Sequence, residues 1–165
     1  MTARTGVSER PGPGWLSVSA LVLVFLADRA HKVAQIHLAG WGGGEVIIVA
    51  PFFDYVLIWN TGVSYGLLSS VPAAALIAVM IAAMLALAVW WLRTGSALTR
   101  WGLALALGGA LGNMTDRIVY GAVADFFSVH AMGYYFYIFN VADIGISLGL
   151  LLLVVDMFRP RRRGG

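Results

Sequence analysis

The sequence predicts an all-α membrane protein with four transmembrane helices, a small extracytoplasmic β-sheet and an interfacial aromatic segment. Three observations carry that fold class. Hydrophobic residues make up 60% of the 165 and charged residues 12%, with mean hydropathy +0.84, too apolar for a soluble domain of this length. Four apolar stretches each approach the ~20 residues needed to cross ~30 Å of hydrocarbon. The arginines lie mainly at the two chain ends and in one short loop, as in cytoplasmic segments of a polytopic protein.

Taken in order, residues 1–14 are polar and rich in Gly and Pro, with Arg4 and Arg10, and read as a disordered cytoplasmic leader. Residues 15–158 form one transmembrane domain, and residues 159–165 a basic cytoplasmic tail. The first apolar stretch runs from Trp15 to about Ile36. It looks like a secretory signal core, but Asp28-Arg29-Ala30-His31-Lys32 follows in place of a cleavage site, so it is read as an uncleaved helix. Further spans are expected over about Val71–Leu92, Ala97–Asn113 and Ile138–Phe158. Between the first two, Glu45–Val49 and Phe52–Trp59 are β-branched and aromatic, split by Pro51, and predict two short strands lying on the bilayer. Residues 126–137 carry Phe126, Phe127, Tyr134, Tyr135, Phe136 and Tyr137, which suits an interfacial belt or lid. The positive-inside rule puts both termini and the loop holding Arg93 and Arg100 in the cytoplasm, with 38–70 and 114–137 outside.

Composition also narrows function. The net charge of +3 is not spread as a nucleic-acid patch would be, so no nucleic-acid partner is expected. The absence of cysteine removes disulfides, thiolate nucleophiles and Cys-ligated metal, and means that the chain is not itself a lipid-modified precursor. No H-E-x-x-H or similar zinc pattern occurs, so neither metal nor cofactor is expected.

The chemistry lies in the acids. Only eight Asp and Glu occur, and Asp28, Asp116, Asp125 and Asp143 fall inside or at the outer edge of the apolar spans. An ionisable group there costs about 2.5–3.5 kcal/mol on insertion scales and marks a functional site by default. At ~1.5 Å per residue, Asp28, Asn113 and Asp143 all reach a level about 20 Å above the cytoplasmic ends of their helices. Asp28 and Lys32, spaced i and i+4, pair on one helix face in a structural role. Asp116 stands beside Arg117, a charge pair at the water boundary. Asp125 and Asp143 have no basic neighbour in sequence. Each is either a capping or interhelical hydrogen-bonding group, or one half of a facing pair. Two carboxyls close together in a partly dry site share a proton and titrate as a pair. The ionised one activates a water and the protonated one polarises a scissile carbonyl, as in aspartic proteases. The string Gly62-Val63-Ser64-Tyr65-Gly66 matches the nucleophile elbow G-x-S-x-G, but His31, His37 and His130 have no triad-like context. A serine hydrolase is disfavoured.

Four strings in order resemble the lipoprotein signal peptidases (signal peptidase II, the bacterial prolipoprotein signal peptidases) from about Leu21 to Arg159. The first motif usually reads D-Q-x-T/S-K and is here Asp28-Arg29-Ala30-His31-Lys32. The second, N-x-G-A-A-F, is Asn60-Thr61-Gly62-Val63-Ser64-Tyr65. The third, G-G-A-x-G-N-x-x-D-R followed by V-x-D-F, is intact as Gly108 to Arg117 and Val123 to Phe126. The fourth, F-N-x-A-D, is intact as Phe139 to Asp143. The resemblance implies a membrane aspartic endopeptidase with Asp125 and Asp143 as the catalytic pair. It also implies that Asn60, Gly62, Asn113, Asp116, Arg117, Asn140 and Ala142 support the site or bind substrate. Asp116 is the rival for the first catalytic role, but its Arg neighbour is expected to hold it ionised and occupied. The implied substrate is a prolipoprotein already carrying a diacylglyceryl group on its lipobox cysteine, cleaved just before that cysteine. The implied location is the bacterial inner membrane, with membrane lipids as neighbours, a monomeric state and an active site near the outer face. The departures at Arg29, His31, Val63 and Ser64 are expected to touch packing and lid details only. The rival class is a small transporter using the intramembrane acids as a proton relay.

Overall fold

The computed structural model describes residues 14–62, 73–132 and 134–159. Four long helices carry the fold: α1 (Trp15–Val33), α2 (Ala73–Arg93), α3 (Ala97–Tyr120) and α4 (Val141–Phe158). A π-helical turn over Ala34–Leu38 extends α1. The helices form a bundle centred on α3, which packs against α1, α2 and α4. Most of the leader and of the tail, the Ser64 string beyond Gly62 and the start of the second expected span lie outside the described residues.

Glycine decides how close these helices come. A Cβ built on Gly109 would lie 2.2 Å from the Ala142 carbonyl oxygen, and one on Gly149 would lie 2.4 Å from that of Gly102. Only a residue without a side chain allows α3 and α4 to touch backbone to backbone. Such small-residue seams are how helices associate in a solvent as apolar as their own side chains. Two of the four helices, over Ala74–Arg93 and Val141–Phe158, are long and apolar enough to cross a membrane by length and composition. The other two carry most of the helical charges: Asp28, Arg29 and Lys32 on α1, and Arg100, Asp116 and Arg117 on α3.

The sheet is larger than the two predicted strands. Strands β1 (Val46–Ala50), β2 (Phe53–Asn60), β3 (Val123–Ala131) and β4 (Tyr134–Phe139) form one antiparallel sheet in the order β1-β2-β3-β4. The expected belt or lid over 126–137 is therefore a hairpin of this sheet, turning at Met132, which adopts φ 52°. Its aromatic side chains serve the period-2 geometry of a sheet as well as they serve an interface. Leu57, Ala124 and Phe126 form its fully buried core, backed by Ile36, Trp41, Tyr55 and Trp59. His31 of α1 docks the sheet to the bundle: its Nε2 is 2.7 Å from the Tyr55 hydroxyl, and its ring packs edge-on against Phe126.

Two span boundaries also move. Helix α3 runs past Asn113 to Tyr120 and ends on Gly121 at φ 74°, so Asp116 and Arg117 belong to its last turns and not to a loop. Helix α4 begins at Val141, three residues later than expected, because Ile138 and Phe139 close the β4 ladder.

Candidate active site

Asp125 and Asp143 come from different elements, β3 and the first turn of α4, and line one cavity of about 160 Å³. Asn60, Asn113 and Arg117 line it too. A water's share of liquid volume is about 30 Å³, so this space is large enough for a water together with part of a ligand. A second cavity of about 360 Å³ adjoins it through Asn60, Gly62 and Asp125, walled by Trp59 and the Tyr135–Ile138 stretch of β4.

Both carboxyls are held oxygen by oxygen. Asn140 caps α4, its Oδ1 accepting the Asp143 backbone N–H at 3.0 Å, while Asp143 Oδ2 accepts the Asn140 N–H at 3.1 Å. This reciprocal box is worth about 1 kcal/mol to a helix start, and here it also aims the Asp143 side chain. The capping alternative for Asp143 thus holds alongside its place in the cavity. Asp143 Oδ1 accepts Asn113 Nδ2 at 2.8 Å. Asp125 Oδ1 accepts Asn140 Nδ2 at 2.7 Å, and its Oδ2 accepts Asn60 Nδ2 at 3.1 Å. Asn140 also donates to Asn113 Oδ1 at 3.1 Å, so one chain of amides joins the two carboxyls.

Asp125 is 3% exposed. Burial, and then the neighbouring Asp143, push its carboxyl up to about 7, while the amides of Asn60 and Asn140 and the charge of Lys32 oppose the rise. Since both of its oxygens already accept amide hydrogens, a proton on Asp125 takes the remaining lone-pair direction.

Arg117 Nη2 donates to the Gly62 carbonyl at 2.7 Å, and Gly62 N–H donates to Asn60 Oδ1 at 3.1 Å. Arg117 thereby anchors the end of the segment that presents Asn60. Its sequence neighbour Asp116 pairs elsewhere, against the expectation of an Asp116–Arg117 charge pair. Adjacent residues on a helix point about 100° apart, and Asp116 turns toward α1. Lys32 Nζ lies 2.6 Å from Asp116 Oδ2 and 3.0 Å from Asp28 Oδ1, the predicted i, i+4 partner. Arg29, expected to concern packing, joins the same cluster through Asp28 and Asp116. Asp28, Lys32 and Asp116 are essentially fully buried. Asp28 Oδ1 also accepts the Ala142 backbone N–H at 3.1 Å, which is how Ala142 enters the site. Every site residue read from the sequence thus lies in the cavity or in the hydrogen-bonded and ionic layer beneath it. Arg29 is the residue that reading missed; its place one residue after Asp28, within an apolar helix, was the available signal.

A bundle of glycine-seamed apolar helices, with a buried and a half-buried carboxyl lining one cavity at its end, is the form of an integral membrane enzyme. Residues 20–159 match the family model for signal peptidase (SPase) II, and the chain belongs to that family. It is 48% identical over 152 residues to a lipoprotein signal peptidase of Methylorubrum extorquens (strain PA1), covering 87% of this chain and 86% of that one. It is 40% identical over 148 residues to a lipoprotein signal peptidase of Nitrobacter hamburgensis, covering 86% and 90%. Among solved structures, a bacterial membrane enzyme determined at 2.3 Å superposes with a TM-score of 0.77 at 26% identity, covering 92% of this chain and 95% of that one. A second, at 1.9 Å, gives a TM-score of 0.74 at 28% identity, covering 88% and 94%. The protein is accordingly an integral membrane protease of bacteria, of the family that removes signal peptides from prolipoproteins.

Proposed function

We propose that this chain is a four-span aspartic endopeptidase of the inner membrane, acting as a monomer without a cofactor. It cleaves diacylglyceryl-modified prolipoproteins just before the lipidated cysteine. The observation that carries the reading is the pair Asp125 and Asp143 in one cavity, with all four carboxylate oxygens held by nitrogen donors and Asp125 poised near 7. Asp125 holds the proton at rest. Asp143, at the positive end of α4, is the ionised partner. Its carboxylate takes a proton from a water as that water attacks the scissile carbonyl, while Asp125 donates a hydrogen bond to the carbonyl oxygen. The tetrahedral intermediate collapses as the proton on Asp143 passes to the departing cysteine nitrogen. The products are a free signal-peptide carboxylate and a free α-amine on the lipidated cysteine.

Both ends of the chain lie in the cytoplasm in this reading, with the sheet and the cavity at the outer face. A diacylglyceryl cysteine has its scissile bond at that level. The adjoining cavity of about 360 Å³, walled by Trp59 and β4 aromatics, suits the apolar peptide and acyl segments flanking the bond. The test is cleavage of a synthetic diacylglyceryl prolipopeptide in lipid-doped micelles, run in ¹⁸O-water. One ¹⁸O in the signal-peptide carboxylate, with no cleavage of the unmodified peptide, is expected. Equal cleavage of the unmodified peptide would refute the substrate assignment, and a trapped acyl-enzyme would refute the water-activating mechanism.

A further inference from the structure

Asp28 and Asp116 stand on different helices and do matching work. Asp28 Oδ1 accepts the N–H of Ala142 at 3.1 Å, one residue before Asp143; Asp116 Oδ2 accepts the N–H of Ala124 at 3.2 Å, one residue before Asp125. The distance between these two supporting carboxylates therefore sets the distance between the two peptide units from which the proposed catalytic acids project. Two cations span it. Lys32 touches Asp28 Oδ1 and Asp116 Oδ2, and Arg29 Nη2 donates to Asp28 Oδ2 at 2.9 Å and to Asp116 Oδ1. Arg29 stands where the resembled motif usually carries glutamine, so the second cation is a departure from that motif. With both cations the buried cluster is neutral; with Lys32 alone it would carry one net negative charge beneath the acids.

We propose that Arg29 is a positioning residue: with Lys32 it clasps Asp28 to Asp116, and so holds the spacing and the electrostatic setting of Asp125 and Asp143. This rests on the two-carboxyl reading above. The charged groups that act on the pair are Asp28 and Lys32 from α1 and Arg117 from α3, with Arg29 and Asp116 one layer beneath, bound to Asp28 and Lys32; β2 contributes the neutral Asn60 and β4 the phenol of Tyr137. In either single-cation variant the other still bridges, so the two losses are synergistic and not additive.

The full-length protein is assayed in micelles on the diacylglyceryl prolipopeptide. Arg29→Gln lowers kcat by about 3–10-fold with KM nearly unchanged, the pattern of lost transition-state positioning. It also moves the basic limb of the pH profile upward by a few tenths, since losing a cation favours the protonated acid. Arg29→Lys restores most of kcat. Arg29→Gln combined with Lys32→Met falls at least about 10-fold below the product of the single effects; if that variant does not fold, the glutamine and lysine variants at 29 decide alone. An Arg29→Gln enzyme with wild-type kcat and pH profile overturns the proposal. So does a double variant equal to the product of the singles, or a loss confined to thermal stability. Full cleavage by Asp125→Asn or Asp143→Asn would instead bring down the two-carboxyl reading itself, whatever Arg29 does.

Discussion

Replacing Asp125 by Asn tests the electrostatics of the site without any substrate. Holding a buried carboxyl at about 7, where its ordinary value is 3.8, costs the ionised form on the order of 4 kcal/mol as an upper bound. The sign follows from linkage. As pH rises from about 4 to about 7 the unfolded chain ionises this group while the folded protein resists, so stability falls across that window and stays lowered above it. Asparagine does not titrate and removes the slope. It also introduces a fault, because both Asp125 oxygens accept amide hydrogens and asparagine offers only one acceptor. Its NH₂ would face a donor of Asn60 or Asn140, at a cost of about 1–3 kcal/mol. The variant should therefore be less stable than wild type near pH 4.5 and equal or more stable near pH 8.5. For a chain of this size 1 kcal/mol corresponds to about 2–4 °C, so the wild-type advantage in Tm should shrink by up to about 10 °C between those pH values. Thermal unfolding of both proteins in the same detergent, in half-unit pH steps, measures it. A Tm difference independent of pH would refute the assignment of a raised, buried Asp125.

Other outcomes follow from the same contacts. The kcat of the wild-type enzyme should decline as pH rises through about 7, as Asp125 loses its proton, and a pH–rate profile flat from 6 to 9 would contradict this. Gly109→Ala places a methyl 2.2 Å from the Ala142 carbonyl oxygen, forcing α4 away from α3 by about an ångström or more and pulling Asp143 off Asn113. Displacements of that size cost on the order of 10²-fold in rate, read as kcat on the folded fraction. Asn140→Ala removes the α4 cap and both amide donors at once, costing about 0.5–2 kcal/mol of stability and nearly all cleavage. Leu57→Ala, at the buried centre of the sheet, should destabilise by about 2–5 kcal/mol, measured by denaturant unfolding.

How much of this was legible beforehand depends on the range of each interaction. The Asp28–Lys32 pair is one helical turn long, so spacing alone identified it. The capping alternative for Asp143 was legible for the same reason, since a helix cap is a local object, whereas Asn140 as the N-cap was not read from spacing and entered only through the resemblance. Asp116 was misassigned to Arg117 because adjacency in sequence is not adjacency on a helix, and its ionic partners are more than eighty residues away on α1. The β3–β4 hairpin was hidden because Phe and Tyr satisfy a strand and a bilayer interface equally well, and only pairing with β2 decides between them. Arg29 was passed over because its motif position normally carries a neutral residue. The span ends shifted by several residues where hydropathy fades gradually, while caps at Gly121 and Asn140 set the real limits.

The proposal that two aspartates share the work of hydrolysis is tested most directly by removing each carboxyl in turn. Purified Asp125→Asn and Asp143→Asn proteins, both folded by thermal unfolding, should each leave a diacylglyceryl prolipopeptide uncleaved to the detection limit. Cleavage at the wild-type rate by either one would contradict the account.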